Sequence, residues 1–124
     1  MDHSPGFLKL VNEAKQHIEE LSVAEARARL DANPQAVLLD VREDHEWQQG
    51  HAVEAAHLGK GIFERDLERL YPDKSRELIM YCGGGFRSAL TADAARRMGY
   101  QKVWSLAGGY KAMLQAQWPM KTGD

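Results

Sequence analysis

Leu78-Ile79-Met80-Tyr81-Cys82-Gly83-Gly84-Gly85-Phe86-Arg87-Ser88 is the stretch whose reading decides the fold. Four apolar residues bounded by a turn signal predict a short buried strand. After the glycines, Ser88 to Met98 reads as a strong helix stopped by Gly99, with Arg96 and Arg97 placed to suit the negative end of its dipole. Strand, glycine-rich turn and helix in that order make a βα unit. The alternation continues on both sides. Val37-Leu38-Leu39-Asp40-Val41 suits a strand buried on both faces, and Lys102 to Leu106 reads as a third strand. Helices are predicted from a capping box at Ser22-Val23-Ala24-Glu25 to about Ala32, where Asn33-Pro34 stops the chain. Others are predicted over Glu43–Gln49, Phe63–Leu70 and Gly109–Gln117, with an irregular stretch from Gly50 to Gly61. Such a pattern implies an α/β domain with a mostly parallel sheet and helices on both faces.

Before all of this, Pro5-Gly6 closes a polar leader, and Phe7, Val11, Ala14, Ile18 and Leu21 recur at steps of four and three. That spacing predicts an amphipathic helix of about four turns docked on the core, with a dimer contact as the alternative use of its face. Glu13, Glu19 and Glu20 oppose binding to an anionic membrane surface.

Composition narrows the class. The 124 residues carry 16 Lys plus Arg against 18 Asp plus Glu, a net charge of −2, and are 44% hydrophobic. The length suits one compact domain. A near-neutral chain without a basic block is a poor nucleic-acid binder. No apolar run approaches the roughly 20 residues that span a bilayer. Phe7–Val11 is interrupted by Lys9 and lacks a signal-peptide pattern, so the expected location is cytoplasmic with no membrane partner. The single cysteine excludes an internal disulfide and a Cys-rich metal site.

That cysteine stands at the carboxyl end of a predicted strand, where ligands bind in open parallel sheets. Three glycines allow positive φ angles and close backbone approach. They also let successive N–H groups turn inward as an anion nest. The next helix adds its unpaired N–H groups and positive dipole end, and Arg87 adds a forked donor. Such surroundings favour a thiolate and would hold an anionic substrate against it. A buried structural cysteine needs none of these features. A dinucleotide site is disfavoured because Gly83 and Gly85 are followed by Ser88 where G-x-G-x-x-G requires its third glycine.

The chain beyond about Ile18 resembles the rhodanese sulfurtransferases. Leu39-Asp40-Val41-Arg42-Glu43 with Glu46-Trp47, Gly50-His51, Ala55 and His57 resembles the first signature of that family. Cys82 to Ser88 resembles its active-site loop, and Leu106-Ala107-Gly108-Gly109-Tyr110 its C-terminal signature. The resemblance implies a three-layer fold with a five-stranded parallel sheet, including a short first strand near Glu20–Ser22. It divides the chain into a leader and helix at 1–17 and a rhodanese domain at 18–124. It further implies that Cys82 takes the outer sulfur of a donor such as thiosulfate as a persulfide and passes it to cyanide, a thiol or a protein. Backbone N–H groups of Gly83, Gly84, Gly85, Phe86, Arg87 and Ser88 would cradle the terminal sulfur. Arg87 would either help bind the donor or pair with a carboxylate such as Glu46. Asp40 and Arg42 would brace the loop. No metal or organic cofactor is implied, and a monomer or weak homodimer is expected.

Other readings remain beside this one. A dedicated sulfur relay or non-catalytic interaction module would share the fold. Related phosphatases carry C-x5-R, whereas Cys82 to Arg87 is C-x4-R, a smaller cradle suited to one sulfur atom. No Asp stands in an obvious general-acid position, although Asp93 lies farther along the helix. His51 and His57 match no common zinc spacing and are read as structural, His45 as a surface residue, and Trp47, Trp104 and Trp118 as packing. Two departures from the family pattern, Ala52-Val53-Glu54 and Met113, leave the cysteine loop untouched.

Overall fold

The computed structural model describes residues 3–124; the first two residues of the expected leader lie outside them. The chain begins with α1 (Pro5–Lys15), β1 (Glu19–Leu21), α2 (Val23–Ala32), β2 (Val37–Asp40) and α3 (Asp44–Gln49). Then come β3 (His51–Ala52), β4 (Ala56–His57), a 3-10 turn at Lys60–Ile62 and α4 (Phe63–Leu70). It ends with β5 (Leu78–Tyr81), α5 (Phe86–Arg97), β6 (Val103–Leu106), α6 (Gly109–Gln115) and β7 (Met120–Lys121).

Five strands form one parallel sheet in the order β1-β6-β5-β2-β4. The two-residue alternation of a strand sends its side chains into two cores. Leu39, Val41, Leu78, Met80 and Cys82 meet Phe63 and Leu67 of α4 and Ala92 and Ala95 of α5 on one face. Leu38, Ile79, Tyr81 and Leu106 meet Ala26 of α2 and Met113 of α6 on the other. Strands buried on both faces read as continuous apolar runs, which is why β2 and β5 were legible. Met113, one of the two departures from the family pattern, is fully buried in this second core. After β2 the chain steps outward to β4, and after β5 it steps the opposite way to β6. The winding reverses between the carboxyl ends of β2 and β5, the place where a ligand crevice opens in such sheets.

Three expectations need correction. The first helix ends at Lys15, and Ile18 and Leu21 leave it. Glu19–Leu21 instead pairs with β6, so tertiary strand pairing overrides a helical spacing that happened to continue. Ile18 packs in one core and Leu21 in the other. The short first strand and the capping box coexist as expected, with Ser22 closing β1 and its Oγ accepting from the Glu25 N–H at 3.1 Å. Second, Gly50–Gly61 is not irregular: it holds β3, which pairs with β7, and β4, the fifth strand of the sheet. Two-residue strands carry no periodicity to read. Third, α5 begins at Phe86, not Ser88, which places Phe86 and Arg87 in the first helical turn.

Candidate active site

Cys82 follows β5 in the middle of the sheet, and its side chain is almost fully buried, 1% exposed. The N–H groups of Gly85 and Ser88 donate to its Sγ at 3.1 and 3.3 Å. Both come from the amino end of α5, so the sulfur sits where the helix leaves donors unpaired. Ser88 Oγ stands 3.6 Å from Sγ and 2.8 Å from Ser105 Oγ on β6. Of the three consecutive glycines only Gly85 takes a positive φ, +97°, and it is the residue that turns the chain into α5. The expected cradle of N–H groups from Gly83 through Ser88 thus brings two donors onto the thiol sulfur itself.

A second turn backs the loop. The Tyr110 N–H donates to the Cys82 carbonyl at 2.7 Å, and the Lys111 N–H to that of Gly83 at 3.2 Å. At Gly109, φ is +55°, and a Cβ there would collide with the Cys82 carbonyl and the Gly83 backbone. Glycine is required by this close approach. The C-terminal signature is therefore the floor of the Cys82–Ser88 loop.

Arg87 does not reach into open solvent. Its Nη1 and Nη2 donate to the two carboxylate oxygens of Glu46 at 2.6 and 3.0 Å. Glu46 Oε1 also accepts the Glu43 N–H at 3.0 Å at the start of α3. The Arg87 fork, assisted by that backbone bond, lowers the Glu46 carboxyl to about 2 against the pull of burial. Asp40 and Arg42 form a deeper pair. Both are buried, Arg42 Nη2 donating to Asp40 Oδ2 at 2.8 Å and to the Gly50 carbonyl at 2.6 Å. The Arg42 backbone N–H also donates to Asp40 Oδ1 at 2.9 Å, and the Tyr110 ring lies 4.1 Å from the guanidinium.

A cleft of about 720 Å³ opens over the loop, lined by Cys82, Gly83, Gly84, Phe86, Arg87 and Glu46 and by His3, Phe7, His45 and Lys111. Asp93 lines a different cleft and is held by Arg96 at 2.8 Å and Arg97 at 3.4 Å. It offers no acid to Cys82. His51 donates through Nδ1 to the Trp47 carbonyl at 2.8 Å and stacks on the Trp47 ring, while His57 Nε2 donates to the Arg42 carbonyl at 2.9 Å. Both histidines brace the turn after β2. Among the described residues no group of three or more His, Cys, Asp or Glu gathers as a metal set, and no helix is long and apolar enough to cross a membrane.

Residues 22–116 match the model of the rhodanese-like domain. The chain belongs to that family. The chain is 36% identical over 95 residues to a tRNA uridine(34) hydroxylase of Cronobacter sakazakii, covering 73% of this chain and 27% of that protein. The chain thus spans about a quarter of the length of the curated relatives it matches. Among solved structures it is similar to a Rhodopseudomonas palustris protein of unknown function described as a possible tyrosine phosphatase. That likeness has a TM-score of 0.85 and 26% identity and covers 98% of both chains. It is also similar to the polysulfide-sulfur transferase homodimer of Wolinella succinogenes, with a TM-score of 0.81, 26% identity and coverage of 94% and 88%.

Four neighbours of the rhodanese loop escaped the sequence reading. Ser105 was readable in principle, because a lone hydroxyl inside Val103-Trp104-Ser105-Leu106 faces a core. Lys111 sits on an exposed helix face and gave no signal. His3 lies in the leader, and the helical spacing that includes Phe7 predicts core packing for it.

Proposed function

We propose that this chain is a sulfurtransferase in which Cys82 carries sulfane sulfur as a persulfide. The supporting observation is the convergence of the Gly85 and Ser88 N–H groups on Sγ at the amino end of α5. The Cys82 thiolate attacks the outer sulfur of a donor such as thiosulfate. An S–S bond forms, the donor's own S–S bond breaks, and its electron pair leaves with sulfite. Cyanide, a thiol or a protein thiolate then takes the terminal sulfur and restores the thiolate. Covalent capture splits one transfer into two steps, a ping-pong cycle. Backbone dipoles fixed before reaction stabilise the negative terminal sulfur. Glu46 and Arg87 clamp α3 against the loop, and Asp40 and Arg42 brace the strand end beneath it. The cycle draws on no metal or organic cofactor. We assign residues 18–124 as the transferring domain, 1–17 as an appended leader and helix, a cytoplasmic location, and a monomer or weak homodimer.

Thiocyanate formation from thiosulfate and cyanide tests this. Parallel double-reciprocal lines that vanish in Cys82→Ser support it. Turnover that survives the substitution contradicts it, as does Cys82-dependent hydrolysis of an aryl phosphate at a higher rate.

A further inference from the structure

Helix α1 lies ahead of the residues that the family model matches, yet it helps build the cleft over Cys82. Phe7 and His3 reach across to Phe86 in the first turn of α5. The His3 and Phe86 ring centroids are 4.3 Å apart, those of His3 and Phe7 5.3 Å, and those of Phe7 and Phe86 6.5 Å. These are contact distances for tilted aromatic pairs. Lys15, at the far end of α1, lies 5.4 Å from the Phe86 ring centroid and closes the cluster.

Thiosulfate would gain little from such a wall. It is a small dianion without apolar surface, and a cleft of about 720 Å³ is the size that encloses an organic ligand. Charge is compatible with this. Glu46 takes both arms of Arg87 and offsets its charge, and Lys111 is an exposed cation on the cleft rim.

We propose that α1 is a wall of the active site, and that Phe7 with Phe86 selects sulfur donors whose retained end is apolar, as in an arenethiosulfonate monoanion. This rests on the sulfurtransferase reading above. The Cys82 thiolate would attack the outer sulfur of the thiosulfonate. The S–S bond of the donor breaks, its electron pair leaves with the arenesulfinate, and the persulfide stays on Cys82. Two negative charges stand on each side of this step. The aryl group lies against Phe7 and Phe86 throughout, while the loop N–H groups hold the moving sulfur.

The test compares benzenethiosulfonate with methanethiosulfonate on the full chain, with cyanide as acceptor. The expected ratio of kcat/KM is at least about tenfold in favour of the aryl donor, the scale on which an apolar pocket discriminates. Phe7→Ala should lower that ratio about five- to tenfold, and Phe7→Leu should keep most of it. A structural defect would slow both donors alike and leave the ratio where it was. Benzenesulfinate binding to Cys82→Ser, followed by NMR shifts, should weaken by a similar factor when Phe7→Ala is added. A ratio near one in the unaltered chain, or one that Phe7→Ala does not move, overturns the proposal while Cys82-dependent transfer stands. Failure of every donor to load Cys82 overturns the sulfurtransferase reading and this inference with it.

Discussion

The carboxyl ends of β2 and β5 lie side by side and are built in opposite ways. At the end of β2, charge is buried and answered in full: Asp40 meets the Arg42 fork, and Arg42 also meets the Gly50 carbonyl. At the end of β5, two backbone N–H groups converge on one sulfur atom. The charged side chains nearby are committed to each other, Arg87 to Glu46. The difference teaches a division of labour. Buried ion pairs fix geometry, because breaking one strands a charge away from water. In the proposed cycle, backbone dipoles would stabilise the anion because they are already oriented when charge develops.

Perturbing each end in turn should separate these jobs. The largest effect belongs to the sulfur: Cys82→Ser should cut sulfur transfer by more than about a thousandfold while thermal unfolding stays near that of the parent. A large fall in melting temperature would instead make Cys82 structural. At β2, Arg42→Met leaves the Asp40 carboxylate buried and unpaired, which should cost about 3–5 kcal/mol in urea unfolding. Adding Asp40→Leu should recover much of that loss. A single variant that costs under about 1 kcal/mol would deny the pair its bracing role.

Between the two ends, Gly109→Ala pushes a methyl into the Cys82 carbonyl. It should destabilise by about 1–3 kcal/mol and slow persulfide formation. Gly84→Ala is the control, since a Cβ there meets nothing nearer than the Phe86 ring at 3.8 Å. Equal effects at the two glycines would contradict the floor described for the loop.

The smallest effect is expected at Glu46→Gln. Freeing the Arg87 charge should lower the KM for thiosulfate about two- to fivefold, with the gain fading at high salt. The same variant carries a pH signature. Because the folded Glu46 carboxyl lies near 2, below its ordinary 4.5, its stabilisation is fully present above about pH 4.5. It is lost as the pH falls toward 2. The stability gap between parent and Glu46→Gln should therefore be flat near neutrality and close in acid. A gap that widens in acid would contradict the ion pair.

Legibility in the sequence followed burial and length. β2, β5 and β6 were readable because runs such as Val37-Leu38-Leu39 and Leu78-Ile79-Met80 are apolar on both faces. The Ser22–Glu25 capping box was readable because its partners are three residues apart. β1 and β4 are too short to show alternation, and their pairing is decided by distant partners in β6 and β2. Ile18 and Leu21 kept a helical step while belonging to a strand and its approach, so spacing alone misassigned them. At the site, the approach of loop N–H groups to Cys82 was legible from the strand end and the glycines that follow it. The Arg87 partner was not settled, because Glu46 is 41 residues away and charge alone offers several carboxylates. Phe7 was hidden by its own hydrophobicity, which reads the same for a core residue and for a wall of the cleft.

Intact mass spectrometry of the reduced chain after thiosulfate alone tests the central claim most directly. The account predicts a gain of one sulfur atom that requires Cys82 and that cyanide removes as thiocyanate. No gain with thiosulfate or with either thiosulfonate, or a gain that persists in Cys82→Ser, would contradict it.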